Sequence, residues 1–353
     1  MTKQANVTAQ FRPAANFVFE TSVALRMPFG ATAAASQAAA DGLCAARAAA
    51  AGLPGRYVAW LSTSTVDAVT KLGGANGWVR TDGRPFARTR ADLLAGKIFY
   101  PLAFDENGGD AGQATLFSTA TGTAADGTAL AGGTCGDWTS TAGSTSGLGV
   151  ASGGSKAWTA APYALSCAGP FPVYCFETAF DHPVTATATG RLAFVSKNTF
   201  KPGPGKTRAD ADAICQSEAQ AAGLPGPFTD YLALLAVAGE RPIARFSTAS
   251  GSLPWVRPDG VLIVAQASDM VSAAPLMAPI DVAADGTYWP GGFTWTGAGA
   301  DNLAGDPSST CGDWSSTANS GNGGQIEYTI HWLDEYRNSL TCLADLPVFC
   351  LRK

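Results

Sequence analysis

The sequence predicts an α+β protein made of two copies of one domain. Each copy should hold one or two helices, a mixed or antiparallel sheet, a long loop region and disulfide staples. Three observations carry that expectation. The stretch Cys135-Gly136-Asp137-Trp138-Thr139-Ser140 returns as Cys311-Gly312-Asp313-Trp314-Ser315-Ser316. Cys44, Cys135, Cys167 and Cys175 are separated by 91, 32 and 8 positions, and Cys215, Cys311, Cys342 and Cys350 by 96, 31 and 8. The turn Gly52-Leu53-Pro54-Gly55 recurs as Gly223-Leu224-Pro225-Gly226. A ladder shared over this length marks internal duplication. The expected layout is an N-terminal strand and linker at 1–16, a first domain at 17–178, a linker at 179–190 and a second domain at 191–353.

The elements follow in order. Asn6 to Phe11 alternates like a short strand, free to pair with another sheet edge. Each domain then opens on a strand, Phe17 to Ser22 and Leu192 to Lys197. A helix comes next. Ala40, Leu43, Cys44, Ala48 and Ala51 share one 3.6-residue stripe, as do Ala211, Ile214, Cys215, Glu218/Ala219 and Ala222. The first cysteine of each domain therefore sits on a buried helix face. Thr207 is the expected N-cap, with an acidic first turn behind it. Gly-Leu-Pro-Gly then stops each helix, because glycine takes the left-handed position and proline cannot continue.

Buried strands are expected at Tyr57 to Leu61 and Tyr231 to Leu235, and hairpins at Trp78-Val79-Arg80-Thr81-Asp82-Gly83 and Trp255-Val256-Arg257-Pro258-Asp259-Gly260. Residues 105–157 and 281–325 carry few apolar residues in any period and read as long loops, functional or poorly ordered. Each domain closes on a short strand, Pro172 to Phe176 and Pro347 to Leu351.

Composition narrows the function. With 46% hydrophobic and 14% charged residues the chain should fold rather than remain disordered. Its 41 glycines and 21 prolines fit a turn-rich fold. A net charge of −5 without a Lys/Arg run argues against nucleic acid and anionic membrane surfaces as partners. No apolar run reaches the roughly 18 residues of a membrane span. Eight cysteines, four per repeat, read as disulfides in an oxidising compartment; the sequence has only two histidines and no Cys-x-x-Cys, so a metal reading is poor. Met1-Thr2-Lys3-Gln4 lacks the apolar core of a signal peptide. The cysteines nonetheless point to a secreted or cell-surface protein.

The Ala-Gly-Leu-Pro-Gly turn, the Trp-Val-Arg-x-Asp-Gly segment, the Cys-Gly-Asp-Trp motif and the Val-Tyr/Phe-Cys ending occur in that order twice. Together they resemble the C-type-lectin-like fold, and more narrowly its bacterial endostatin-like branch, found on secreted and surface proteins. Sequence alone allows three cysteine pairings per domain. The resemblance implies one of them: Cys44–Cys175 and Cys135–Cys167, then Cys215–Cys350 and Cys311–Cys342. It also implies an adhesion or recognition protein that meets a glycan or an extracellular protein through its long loops. Self-assembly into a surface layer or fibre is the rival expectation. An enzyme of the formylglycine-generating type, which uses this broad fold, would need free cysteines.

No catalytic motif of the serine-hydrolase, zinc-peptidase or Walker kind is present, so no catalytic residue is assigned. The candidate binding residues are Asp137, Trp138, Trp158, Asp313, Trp314 and Trp332, as carboxylates and aromatic platforms for a sugar. The sugar-binding triplets Glu-Pro-Asn and Gln-Pro-Asp, and the Trp-Asn-Asp that follows them in lectins, do not occur. No cofactor is required. Calcium would be an optional ion, with Asp105, Asp110, Asp281 and Asp285 as candidate ligands.

Overall fold

A computed structural model describes residues 15–111, 118–142, 145–271, 274–299, 303–318, 320–333 and 340–353. The expected strand at Asn6 to Phe11 lies outside the described residues. The architecture is α+β, with two long helices and several mixed or antiparallel sheets. The two halves share one strand plan. In the first, Asn16–Glu20 runs antiparallel to the closing strand Tyr174–Glu177 and parallel to Trp78–Arg80. In the second, Arg191–Val195 runs antiparallel to Phe349–Arg352 and parallel to Trp255–Val256. The register agrees to the residue: Phe19 faces Cys175 and Phe194 faces Cys350.

The opening strands are buried on both faces, so alternate side chains feed two cores. Phe19 joins Ala40, Cys44 and Ala48 on the helix side, whereas Val18 joins Trp60, Trp78 and Trp158 on the other. Phe194 and Val195 divide in the same way. The helices are Ala33–Ala50 and Arg208–Ala221. Thr32 caps the first, its hydroxyl accepting from Ala35 N, and Thr207 with Asp210 forms a capping box on the second. Both end as the glycine turn predicts. Gly52 and Gly223 take φ of 70° and 63°, and Leu53 N and Leu224 N reach back to Ala48 O and Ala219 O.

Four disulfides join Cys44–Cys175, Cys135–Cys167, Cys215–Cys350 and Cys311–Cys342. These are the pairs the resemblance implied. Each helix is thereby pinned to its closing strand. The hairpins also form, with Gly83 and Gly260 at φ 84° and 81°.

The Cys-Gly-Asp-Trp motif holds an unanticipated backbone. Cys135, Gly136, Asp137 and Trp138 all have φ between 50° and 63°, and Cys311 to Trp314 repeat this between 52° and 70°. A left-handed turn costs roughly 1–2 kcal/mol per non-glycine residue. Neighbouring contacts fix it: a disulfide at its first residue and an indole N–H at its last, which donates to Ser62 O or Ala236 O at 2.8 Å.

The long loops depart from expectation. Within 105–157, Ser118–Ala120 and Thr145–Val150 pair and Ala164–Ser166 extends the sheet. Within 281–325, Phe293–Trp295 pairs with Gly323–Gln325. Glycines 147, 149, 323 and 324 allow this close approach, and their lack of side chains hid the strands from periodicity. The loop regions also pack across the two halves. Gly154 N donates to Glu327 O at 2.7 Å and Thr329 N to Ser152 O at 3.1 Å. Phe99 and Tyr100 meet Val261 and Ala278 in a shared apolar cluster. No described helix is long and apolar enough to cross a membrane.

Candidate binding site

The binding residues picked from sequence fall in the framework. Trp138, Trp158, Trp314 and Trp332 are all at most 2% exposed. Trp158 stacks within the first core, 5.1 Å from the Trp60 ring, and Trp332 lies in the apolar core of the second half. None is a platform open to a sugar ring. Asp137 accepts from Ser64 N at 2.6 Å and Ser64 Oγ at 2.7 Å, and Asp313 accepts from Ala238 N at 2.7 Å. These carboxylates tie the left-handed turns to a neighbouring loop. Motif recurrence had marked a scaffold device.

The candidate cation ligands divide. Asp281 is fully buried and takes Arg257 Nη1 at 2.5 Å. Asp285 takes Lys197 Nζ at 2.6 Å on the surface. Both already have a cationic partner, and they do not converge. Among the described residues no group of three His, Cys, Asp or Glu side chains is placed to hold a metal ion. Asp105 and Asp110, in contrast, line the same cavity, and with them stands a residue that sequence reading passed over.

That residue is Glu20. It ends the opening strand, and its N–H donates to Phe104 O at 3.0 Å, which draws the following loop alongside. Asp105 folds into an Asx turn, its Oδ1 accepting from Asn107 N and Gly109 N at 2.8 Å each. The loop returns through a bridge between Phe104 and Asp110. Glu20 is left 1% exposed. Its Oε1 accepts from the Thr119 hydroxyl, and its Oε2 has no hydrogen-bond partner among the described residues.

The Glu20 carboxyl has no cationic partner among the described residues. Burial pushes its carboxyl up to about 8; the Thr119 hydroxyl opposes the rise, and the Asp110 and Asp105 carboxylates add to it. Glu20 is therefore a neutral acid at pH 7. The Tyr174 phenol opposite it is held well above its ordinary value by burial and by Glu20. Arg47 sits close by but is engaged: its Nε donates to Glu106 Oε1 at 2.6 Å and its Nη2 to Ser22 Oγ at 2.7 Å.

A cavity of about 680 Å³ opens over this group. Asp105, Asp110 and Ser118 form its polar wall, and Val23, Leu165 and Phe171 its apolar wall. Val23 and Leu165 are 43% and 45% exposed, unusual for large apolar side chains in this protein. The volume is that of a small-ligand site, and the mixture of apolar rim and a few polar groups is the usual composition of one.

One signal for Glu20 did exist in the sequence. In the second half the equivalent residue is Val195, paired with Phe349 as Glu20 is paired with Tyr174. An acid and a phenol standing where the twin has valine and phenylalanine mark a local departure from the shared core. A scan against protein-family models returned no match to the chain, and neither did a search of curated proteins.

Proposed function

We propose that the chain is an extracellular binding protein built from two tandem C-type-lectin-like domains, and that it recognises its partner rather than transforming it. The partner class is a glycan or a surface or matrix protein. The observation that carries the reading is the cavity over Glu20, an open concave site with an exposed apolar rim on a disulfide-pinned scaffold. The four disulfides support an oxidising, extracellular setting. All eight cysteines are paired, which removes the thiol that a formylglycine-generating type of chemistry needs.

Arrays of glycans and matrix proteins, probed with and without a chelator, test the reading. The expected result is a saturable hit that survives chelation, made by a monomer in sedimentation velocity. Absence of any hit, together with self-association into large species, contradicts it and favours a building block of a surface layer.

A further inference from the structure

The cavity in the first half has chemistry that selects among ligands. We infer that it binds a primary ammonium group on a short apolar stem, with the cation seated on the free oxygen of Glu20. This inference rests on the reading of the cavity as a binding site and adds the ligand class.

Four observations converge. Glu20 is 1% exposed and lines the cavity, and its Oε2 has no hydrogen-bond partner among the described residues. A buried polar atom without a partner is costly and rare, so its persistence in a folded core calls for an explanation. Among the described residues the groups facing Glu20 are acidic or neutral: Asp105 and Asp110 from the adjoining loop, Thr119 from the strand Ser118–Ala120, and Tyr174 from the closing strand. Arg47, the cation at the neighbouring Ser22, is bound to Glu106. An anionic ligand would meet repulsion here, whereas a cation supplies the missing charge. The apolar wall of Val23, Leu165 and Phe171 then fits a chain of methylenes. An ammonium offers three donors around a point charge, enough for Glu20 and for a carboxylate of the polar wall. A metal ion fits poorly, since no ligand triad exists among the described residues.

Binding must move a proton. The free protein holds Glu20 neutral, so seating R–NH3+ on its carboxylate expels one proton to solvent. The ammonium itself remains protonated and no bond to carbon changes.

The ammonium has two sources, a free alkylamine or the lysine side chain of a partner protein. Isothermal titration with n-butylamine, and separately with Nα-acetyl-lysine methylamide, distinguishes them: equal affinity assigns a free amine, and preference for the lysine derivative assigns a protein partner. With the carboxyl titrating at about 8, affinity should be roughly two-hundredfold higher at pH 8.5 than at 5.5. Titrations at pH 7 in buffers of different ionisation enthalpy should show close to one proton released per ligand. Glu20→Gln should weaken binding at pH 8.5 at least tenfold and abolish the pH dependence, while Asp105→Asn weakens it and keeps the slope. Thermal melts of each variant confirm folding, and n-butanol serves as the uncharged stem.

Binding of neither amine at millimolar concentration, equal binding of butanol, or unchanged affinity in Glu20→Gln overturns the inference. Array hits that persist in Glu20→Gln would remove the ammonium assignment and leave the broader binding reading standing.

Discussion

The two halves share a scaffold and handle buried charge in opposite ways. In the first, Thr119 and Tyr174 flank the Glu20 carboxyl, which has no cationic partner among the described residues, beneath an open cavity. In the second, Val195 and Phe349 fill the matching sheet positions, and both are fully buried in one apolar core. The second half gathers two acids around the buried arginine of its hairpin. Arg257 is 0% exposed and donates to Asp259 Oδ2 at 2.6 Å, to Asp281 Oδ1 at 2.5 Å and across to Ile98 O of the first half at 3.0 Å. One guanidinium here serves two carboxylates, Asp281 at 0% and Asp259 at 15% side-chain exposure. Burial raises Asp281 to about 7 despite the opposing pull of Arg257, whereas Asp259, though burial opposes it, is held below its ordinary value by Arg257. The twin, Arg80, is also buried but pairs with one acid, Asp82, which is 20% exposed. The two halves thus share a backbone plan while single positions differ, one at a cavity and one at the contact between the halves.

The disulfides give the largest expected effects and should be the same in both halves. Replacing Cys44 and Cys175 by alanine removes a bridge spanning 131 residues, and replacing Cys215 and Cys350 one spanning 135. Loop closure predicts losses of up to about 5 kcal/mol for either and about 4 kcal/mol for the short bridges. Urea unfolding of the paired variants checks this, and a large inequality between the two long bridges would break the comparison at its base.

The arginines should differ. Arg257→Met leaves the fully buried Asp281 and the 15%-exposed Asp259 without their cation, and a loss of about 3–5 kcal/mol is expected. Arg80→Met leaves a partly exposed Asp82 and should cost roughly half as much. Denaturant midpoints of the two variants read the difference, and equal losses would contradict it.

The pH dependence of stability comes next. A carboxyl whose folded value is raised binds its proton more tightly in the native state, so stability falls as pH rises from the unfolded value to the folded one. For Glu20 that window runs from 4.5 to about 8, and for Asp281 from 3.8 to about 7. The native protein should therefore lose stability between pH 5 and 8. Glu20→Gln should remove the part of the slope that extends to pH 8 and be more stable than the parent at pH 8.5 by a few kcal/mol. Melts across this range decide it, and a parent that grows more stable with rising pH would refute the assignment.

The smallest effects belong to the repeated aspartates. Asp137→Ala and Asp313→Ala each remove a turn-capping carboxylate and should cost about 1 kcal/mol. Ligand affinity should not change in either variant; altered affinity in Asp137→Ala would return that residue to the site.

Much of the scaffold was legible because its devices are local. Thr207 with Asp210, the glycines that end the helices and the Asp-Gly hairpins need only near neighbours, so short motifs announced them. The cysteine ladder revealed the duplication for the same reason. The cavity was legible only through the mismatch of Glu20 and Tyr174 with Val195 and Phe349 between the repeats. Glu20 ends an apolar strand, and a carboxylate there looks solvent-facing until the 104–110 loop is seen to fold over it. The tryptophans misled in the opposite direction, since an aromatic residue in a polar stretch does not declare whether its ring faces solvent or core. The loop at 281–325 shows a third cause: its strands pair through Gly323 and Gly324, which leave no side-chain pattern to read.

The most direct test of the contrast between the halves is the titration of the Glu20 carboxyl itself. Its side-chain carbonyl carbon can be followed by NMR from pH 3 to 10 in the parent, with Glu20→Gln assigning the resonance. A midpoint near 8 is expected. A midpoint near 4.5 would mean that the carboxylate is already paired or solvated, and that the first half holds no uncompensated acid for a ligand to meet.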